Sequence, residues 1–452
     1  MSRVQRLSTG QVMRIARERF IRISSKQQID LSTLQHFFDA AKFDLCCEET
    51  KDVELAILLL AAAHKLHNKQ FAEAGKFLNL CDFLSSITGN SVQRIVHYFT
   101  KALRERLARE TGTVTTIESE NKEGKLIHPQ QTTACLIPSL IATYLQLPYT
   151  VTQFAGIQTV LEHLESARKV HFIDLAIKTG GHCTILMQAL ANQNKCPIEL
   201  LKITAVGKTT SKLQMEEVGE RLACFAKTLN LPFTFKTAIV YNIKDLKEEM
   251  FDLSHGEVVA IYSRTILRNI ITQTDCLECL MRVLRKTHPC IFVVHEIEAN
   301  HNSLVFIDRF LEALLHYYSA HFDCLDVCLE RCDPNRIVWE TCLAQEIQDI
   351  VAVEDDARIF RDMKIDEWRA YFTRLKMVET EISVSSLSQA QMALKNFASG
   401  KSCTLDRNDK SIITRWKGTP LLSLSAWKFH QQDQSKKSCA KKSKTSNCGM
   451  LS

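Results

Sequence analysis

Apolar residues recur at helical spacing between Glu48 and about Arg109. Leu55, Leu58, Leu59 and Ala62 share one face, and Phe71, Ala74, Phe77, Leu78 and Cys81 share another. Val92, Ile95, Val96, Phe99, Leu103 and Leu107 form a third stripe, with Arg94, Lys101, Arg104 and Arg106 off it. Ser91, after Gly89-Asn90, is a candidate N-cap for that helix. Residues 111–127 are polar and read as an exposed connection. After Pro148 the rhythm changes. Short apolar runs at 169–174, 199–206, 233–239, 257–262 and 290–297 alternate with amphipathic stretches at 182–192, 213–229 and 276–287. That alternation predicts a parallel sheet covered on both faces, with its strand C-termini on one edge, where ligands usually bind. A long helix is expected from beyond Glu298 to about Tyr318. The runs 377–384, 411–417 and 421–427 read as strands close enough to pair antiparallel. The expected fold is therefore α/β: a Rossmann-like, methyltransferase-like, mostly parallel sheet with antiparallel C-terminal strands and an N-terminal helical cap.

Composition narrows the function classes. The chain has 452 residues, 45% hydrophobic and 24% charged, which fits an ordinary globular protein. No apolar run approaches the roughly 20 residues of a membrane span. The first twenty residues carry arginines without a continuous apolar core, unlike a secretory signal. They are poor in acids up to Glu18, as a mitochondrial presequence would be, but they run smoothly into helical sequence. Of the net charge of +6, five lysines (Lys436, Lys437, Lys441, Lys442 and Lys444) stand together near the C-terminus without an acid. This tail reads as a nuclear-import patch or as a solubilising segment. The nearly balanced remainder argues against a broad nucleic-acid-binding face. The seventeen cysteines are scattered among apolar residues and read as reduced core thiols. Cys276 and Cys279 form a lone CxxC, and Cys324, Cys328 and Cys332 fall at one-turn spacing, but neither group has the partners a zinc site needs.

The chemistry concentrates at Val170-His171-Phe172-Ile173-Asp174, followed by Gly180 and Gly181 and a helix. Strand, acid, glycines and helix are the parts of a cofactor cradle. The fingerprint is weak. Four residues separate Asp174 from Thr179, no carboxylate follows the second strand (Lys208 stands there), and no Asn-Pro-Pro or Asp-Pro-Pro follows the fourth. Asp174 has a simpler role, accepting loop N–H groups to fix the turn. His171, His182, His288, His295, His301 and His316 could supply acid–base groups, and His295-Glu296 ends a strand. No nucleophile elbow, P-loop or His-Glu-x-x-His accompanies them. His171, on an apolar strand, reads as a satisfied core histidine.

Taken in order, these segments resemble the plant GRAS family. Residues 170–174 resemble its VHIID motif, and 289–316 are similar to the stretch before its PFYRE region. Residues 354–372 are similar to its acid- and Arg-rich segment ending in Trp-Arg, and Ser425-Ala426-Trp427 stands where its SAW motif belongs, just after Trp416. Residues 53–110 look like its first leucine-rich region. The likeness runs over about 45–430 and is nearest the DELLA type, although no Asp-Glu-Leu-Leu-Ala precedes it. Ala176, Lys178 and Thr179 depart from the family's usual Asp, Asn and Gln. The division expected from the resemblance is an N-terminal extension at 1–44, a GRAS domain at 45–430 (cap 45–150, core 151–430) and the basic tail at 431–452. The resemblance implies a transcriptional regulator in the nucleus, not an enzyme. It would act without cofactor, metal or membrane. Its partners would be other GRAS proteins and zinc-finger factors of the INDETERMINATE-domain type, with DNA contacted through them and homo- or heterodimers possible in principle. Leu55, Leu58 and Leu59 form an LxxLL pattern that could enter a partner's groove, or serve as a core helix. The rival reading is an S-adenosylmethionine-dependent methyltransferase or a small-molecule receptor using the Rossmann-like pocket.

Overall fold

The computed structural model describes residues 6–25, 30–40, 45–113, 147–193, 196–271, 274–330, 333–354 and 357–430. Their strands are β1 (Lys169–Asp174), β2 (Leu200–Lys208), β3 (Phe233–Val240), β4 (Glu257–Arg264), β5 (Ile291–Ile297), β6 (Met377–Thr380), β7 (Cys403–Asn408), β8 (Ser411–Trp416) and β9 (Thr419–Phe429). They form one sheet in the order β3-β2-β1-β4-β5-β9-β8-β7, with β6 also paired to β9. The first five strands are parallel and β9 joins them antiparallel, Phe292 facing Trp427. This is the expected Rossmann-like, methyltransferase-like sheet. The parallel strands are apolar on both faces because helices cover both. Val170 and Phe172 enter one core, and Ile173 enters the core on the other side.

Four features differ from the pattern-based expectation, the first being that Asn90, not Ser91, caps the helix Ser91–Glu110, by accepting the Gln93 N–H at 2.9 Å. β7 was not anticipated: Cys403–Asn408 is an edge strand whose mostly exposed or half-buried residues carry little alternation. The run expected to be a strand at 377–384 stops at Thr380, where Ser383 caps a helix over Val384–Asn396 by accepting the Ser386 N–H at 2.9 Å. The long helix starts at Phe306, later than expected, and continues through a π segment (Ala313–Tyr318) to Cys328. In the preceding Asn-His-Asn-Ser run, Ser303 accepts the Val305 N–H at 3.2 Å in a turn, and His301 pairs with Asp362.

The helical layer holds α1 (Thr9–Ser24), α2 (Leu31–Ala40), α3 (Cys47–His67), α4 (Phe71–Leu84) and α5 (Ser91–Glu110). α3 is buried on nearly every side from Val53 to Ala63, so it needs partners all round. Among the described residues, those of 45–150 supply only some of them. α1 adds Val12, Met13, Ala16 and Phe20, and the chain from Phe306 to Val351 adds the remaining wall, where Phe310 and Tyr318 meet Phe99 at 5.6 and 5.9 Å. Arg94 of α5 is buried against Glu340 (2.8 Å) and Asp326, locking the two helical stretches together. Trp416 of β8 donates its indole N–H to Asp323 at 2.7 Å, tying sheet to helices.

Candidate functional site at the strand exit edge

The strand order reverses between β1 and β4, and in open α/β sheets the crevice beyond that switch is where cofactors lie. Asp174 ends β1 there, level with Tyr262 of β4. Its carboxylate accepts the Ala176 N–H at 2.9 Å and meets His182 Nε2 at 2.5 Å. The acid therefore fixes the strand-to-helix turn. His182, on the first turn of the helix Gly181–Ala191, lies flat on the Tyr262 ring, with centroids 4.8 Å apart and planes at 12°. The Tyr262 hydroxyl is in turn 2.9 Å from His295 Nε2 at the end of β5. Burial pushes the His295 pKa well below its ordinary value, so the ring is neutral. The helix Val151–Glu162 seals it from the other side: a Cβ on Gly156 would stand 2.5 Å from His295 Nε2.

Gly180 occupies a left-handed conformation (φ +73°), and a Cβ there would approach Val218 Cγ1 to 2.7 Å. Its missing side chain admits a helix of the same chain, where a cofactor cradle would admit a phosphate or methyl donor. Lys178 bridges the crevice to the Thr265 hydroxyl. Lys178 is an exposed residue, yet desolvation, with Arg264 and Arg268 nearby, pushes its pKa down to about 7. At the rim, Arg268 bonds Asp362 (3.1 Å) and Glu346 (2.7 Å), and His301 Nδ1 meets Asp362 at 2.7 Å. The crevice is thus filled by the chain's own rings and ion pairs. Tyr262, Gly156, Arg268 and Asp362 carry much of that filling, and no local motif in the sequence marks them.

The other candidates lie elsewhere. His171 sits within the sheet, its Nε2 2.8 Å from the Thr204 hydroxyl and its Nδ1 3.2 Å from Glu257, which also holds Lys202 at 2.9 Å. Burial, followed by Lys202, pushes its pKa down to about 4, as suits a neutral core histidine. Ser425, Ala426 and Trp427 are buried on β9, the indole N–H donating to Ser425 Oγ at 2.9 Å. The possible LxxLL ridge is corrected. Leu55, Leu58 and Leu59 are all buried inside the helical layer, because α3 is its central helix, so in this fold they cannot enter a partner's groove. Cys324 and Cys328 lie with sulfurs 3.7 Å apart on one helix, while Cys332 and lysines 436, 437, 441, 442 and 444 fall outside the described residues. His316 and His288 are exposed and stand apart from the crevice residues.

Comparison with known proteins agrees with this architecture. DELLA protein RGL1 of Arabidopsis thaliana is 29% identical over 384 residues, covering 84% of this chain and 70% of that protein. DELLA protein RGL3 of the same plant is 29% identical over 389 residues, with the same coverage. The crystal structure of SCL7 in Oryza sativa shares the fold, with a TM-score of 0.69 at 24% identity over 83% of this chain and 99% of that one. Residues 55–428 match the GRAS domain family, and the chain belongs to it.

Proposed function

We propose that this chain is a transcriptional regulator that works in the nucleus by binding other proteins, DNA being reached through them. One observation carries the reading: the crevice that would serve an enzyme of this fold is occupied by His182, Tyr262 and His295 and closed at Gly180 by Val218. The alternative methyltransferase or receptor needs that same space. Recognition then falls to the outer surface. At the turn leaving α4, Phe83 is 84% exposed, with Leu84 and Ile87 about half exposed beside it. Exposed apolar side chains grouped in this way suit a partner's apolar surface. The chemistry expected of the partner is a second GRAS domain or an INDETERMINATE-type zinc-finger factor, so that this chain supplies regulation and the partner supplies base contacts. Among the described residues no helix is long and apolar enough to cross a membrane.

The paired substitution Phe83→Ser and Ile87→Ser tests this directly. Both side chains already face water, so stability should change by less than about 0.5 kcal/mol. Capture of such partners and reporter output should fall at least tenfold; undiminished capture would remove this surface from the proposal. In the same preparation, S-adenosylmethionine should leave the melting temperature unchanged. A true site would add about 2.7 kcal/mol at a hundredfold excess over its dissociation constant. Deleting 435–446, which carries the five lysines, should lower nuclear accumulation without altering capture in vitro. An unchanged nuclear-to-cytoplasmic ratio would assign import to another segment.

A further inference from the structure

The helix Thr274–Lys286 and the turn that follows the helix Ile365–Arg374 border a solvent-open pocket of about 200 Å³. Leu277, Leu280 and Leu284 are buried, which turns Glu278, Arg282 and Arg285, at i, i+4 and i+7 spacing, toward the pocket on one side. Arg374 and Lys376 line the other side. That turn is pinned from several directions. Arg285 donates to the Leu375 carbonyl, the Lys376 N–H donates to the Thr373 carbonyl at 2.9 Å, and the His430 N–H donates to the Lys376 carbonyl at 3.0 Å. Two aromatic rings steady the guanidinium groups: Arg285 stands 5.5 Å from the Phe429 ring centre and Arg374 4.9 Å from that of Tyr371. The charge is lopsided. Four cations face one carboxylate, Glu278, and among the described residues none of the four is held in an ion pair. Arginines elsewhere on the surface are matched, Arg109 by Glu105 at 2.7 Å and Arg407 by Glu381 at 2.6 Å. A second observation is independent of that imbalance: Arg285 Nε and the Tyr371 hydroxyl are buried without a hydrogen-bond partner. Tyr371 is only 7% exposed, and the charges that act on its hydroxyl are those of Glu278 and Arg374, two residues of the pocket wall. Buried donors are normally paired, so two at one pocket point to an acceptor that the chain does not itself supply.

We propose that this pocket binds a phosphate monoester, its phosphoryl dianion held among Arg282, Arg285, Arg374 and Lys376 and its organic group lying against Met281 and Leu375. Planar guanidinium forks match the oxygens of a phosphoryl group, and the four cations give it more donors than a carboxylate could use. The excess of positive charge favours a dianion over a monoanion of the same shape, because the attraction scales with ligand charge. Glu278 opposes the ligand and sets how strongly it is held. The apolar part of the wall favours an ester over the inorganic ion. Binding is non-covalent, and no bond is made or broken. This inference does not depend on the proposed regulatory role.

The test titrates phenyl phosphate into the full chain by calorimetry, with phenyl sulfate and inorganic phosphate as comparisons. Phenyl phosphate should saturate one site and bind more tightly than either. The double substitution Arg282→Gln and Arg374→Gln removes two exposed, unpaired cations, so the fold should persist by circular dichroism. Affinity should fall roughly tenfold or more, the scale of one charge-assisted hydrogen bond. Glu278→Gln should tighten binding, a gain that a purely structural role for these residues would not produce. Arg104→Gln, which removes a guanidinium paired with Asp82, should change nothing. A peptide carrying one phosphoserine identifies the source of the group: tighter binding than phenyl phosphate assigns it to a protein side chain, and weaker binding assigns it to a free ester. No saturable binding of phenyl phosphate, equal affinity for phenyl sulfate, or unchanged affinity in the double variant overturns the site. If the double variant fails to fold, Glu278→Gln decides, and unchanged affinity there overturns it equally.

Discussion

Replacing Trp427 with alanine is expected to cost roughly 3–5 kcal/mol of unfolding free energy, read from urea denaturation. The indole is 1% exposed, packs 4.7 Å from the Phe372 ring and donates to Ser425. It also faces Phe292 on β5, and β9 is the strand that joins the parallel half of the sheet to β8 and β6. An empty volume there loosens both halves at once. The prediction bears on function because the sequence resemblance places Trp427 in the SAW motif. If the motif is structural, partner capture by the variant should fall only in proportion to the unfolded fraction. The outcome that would overturn this is full stability with lost capture, which would make the indole a contact residue. Phe83 and Ile87 should behave in the opposite way, losing capture while keeping stability.

How much of this was legible in the sequence depended on whether the determining contacts were local. The five parallel strands were readable within about two residues, because strands buried on both faces leave continuous apolar runs. Edge strand β7 and the helix Val384–Asn396 left no such trace, the first because it is mostly exposed and the second because its polar start resembles a strand's end. The turn role of Asp174 was readable because its acceptor bond reaches only two residues ahead. What fills the crevice was not, since the stack of His182 on Tyr262 and the bond to His295 join residues 80 and 33 positions apart, by subtraction of their numbers. Leu55, Leu58 and Leu59 show a different failure. A spacing that suits a partner's groove equally suits a helix surrounded by its own chain, and only the packing of α1 and the 306–351 region tells them apart.

Glu296→Gln should stabilise the protein in alkaline solution and leave it nearly unchanged in acid. Glu296 ends β5, where enzymes of this architecture place catalytic acids, and its pKa is pushed up to about 8. Burial is the largest cause, partly offset by Arg268 and the Leu267 N–H, which the carboxyl accepts at 3.0 Å; its other oxygen has no hydrogen-bond partner. Because the folded protein keeps this proton up to about 8 while the unfolded chain releases it near 4.5, the folded state binds more protons in that interval. Stability from this group therefore falls as pH rises from 4.5 through 8 and is fully lost above. The amide cannot ionise and still accepts the Leu267 N–H. The variant should match the parent at about pH 4 and exceed it by roughly 3–5 kcal/mol at about pH 9, measured by denaturation at both values. Equal stability at the higher pH would mean that Arg268 already compensates the charge. A carboxyl kept neutral for catalysis would also lose activity as the amide. In a protein whose crevice is packed shut, the same change should leave partner capture intact, so stability and capture measured together separate a buried structural acid from a catalytic one.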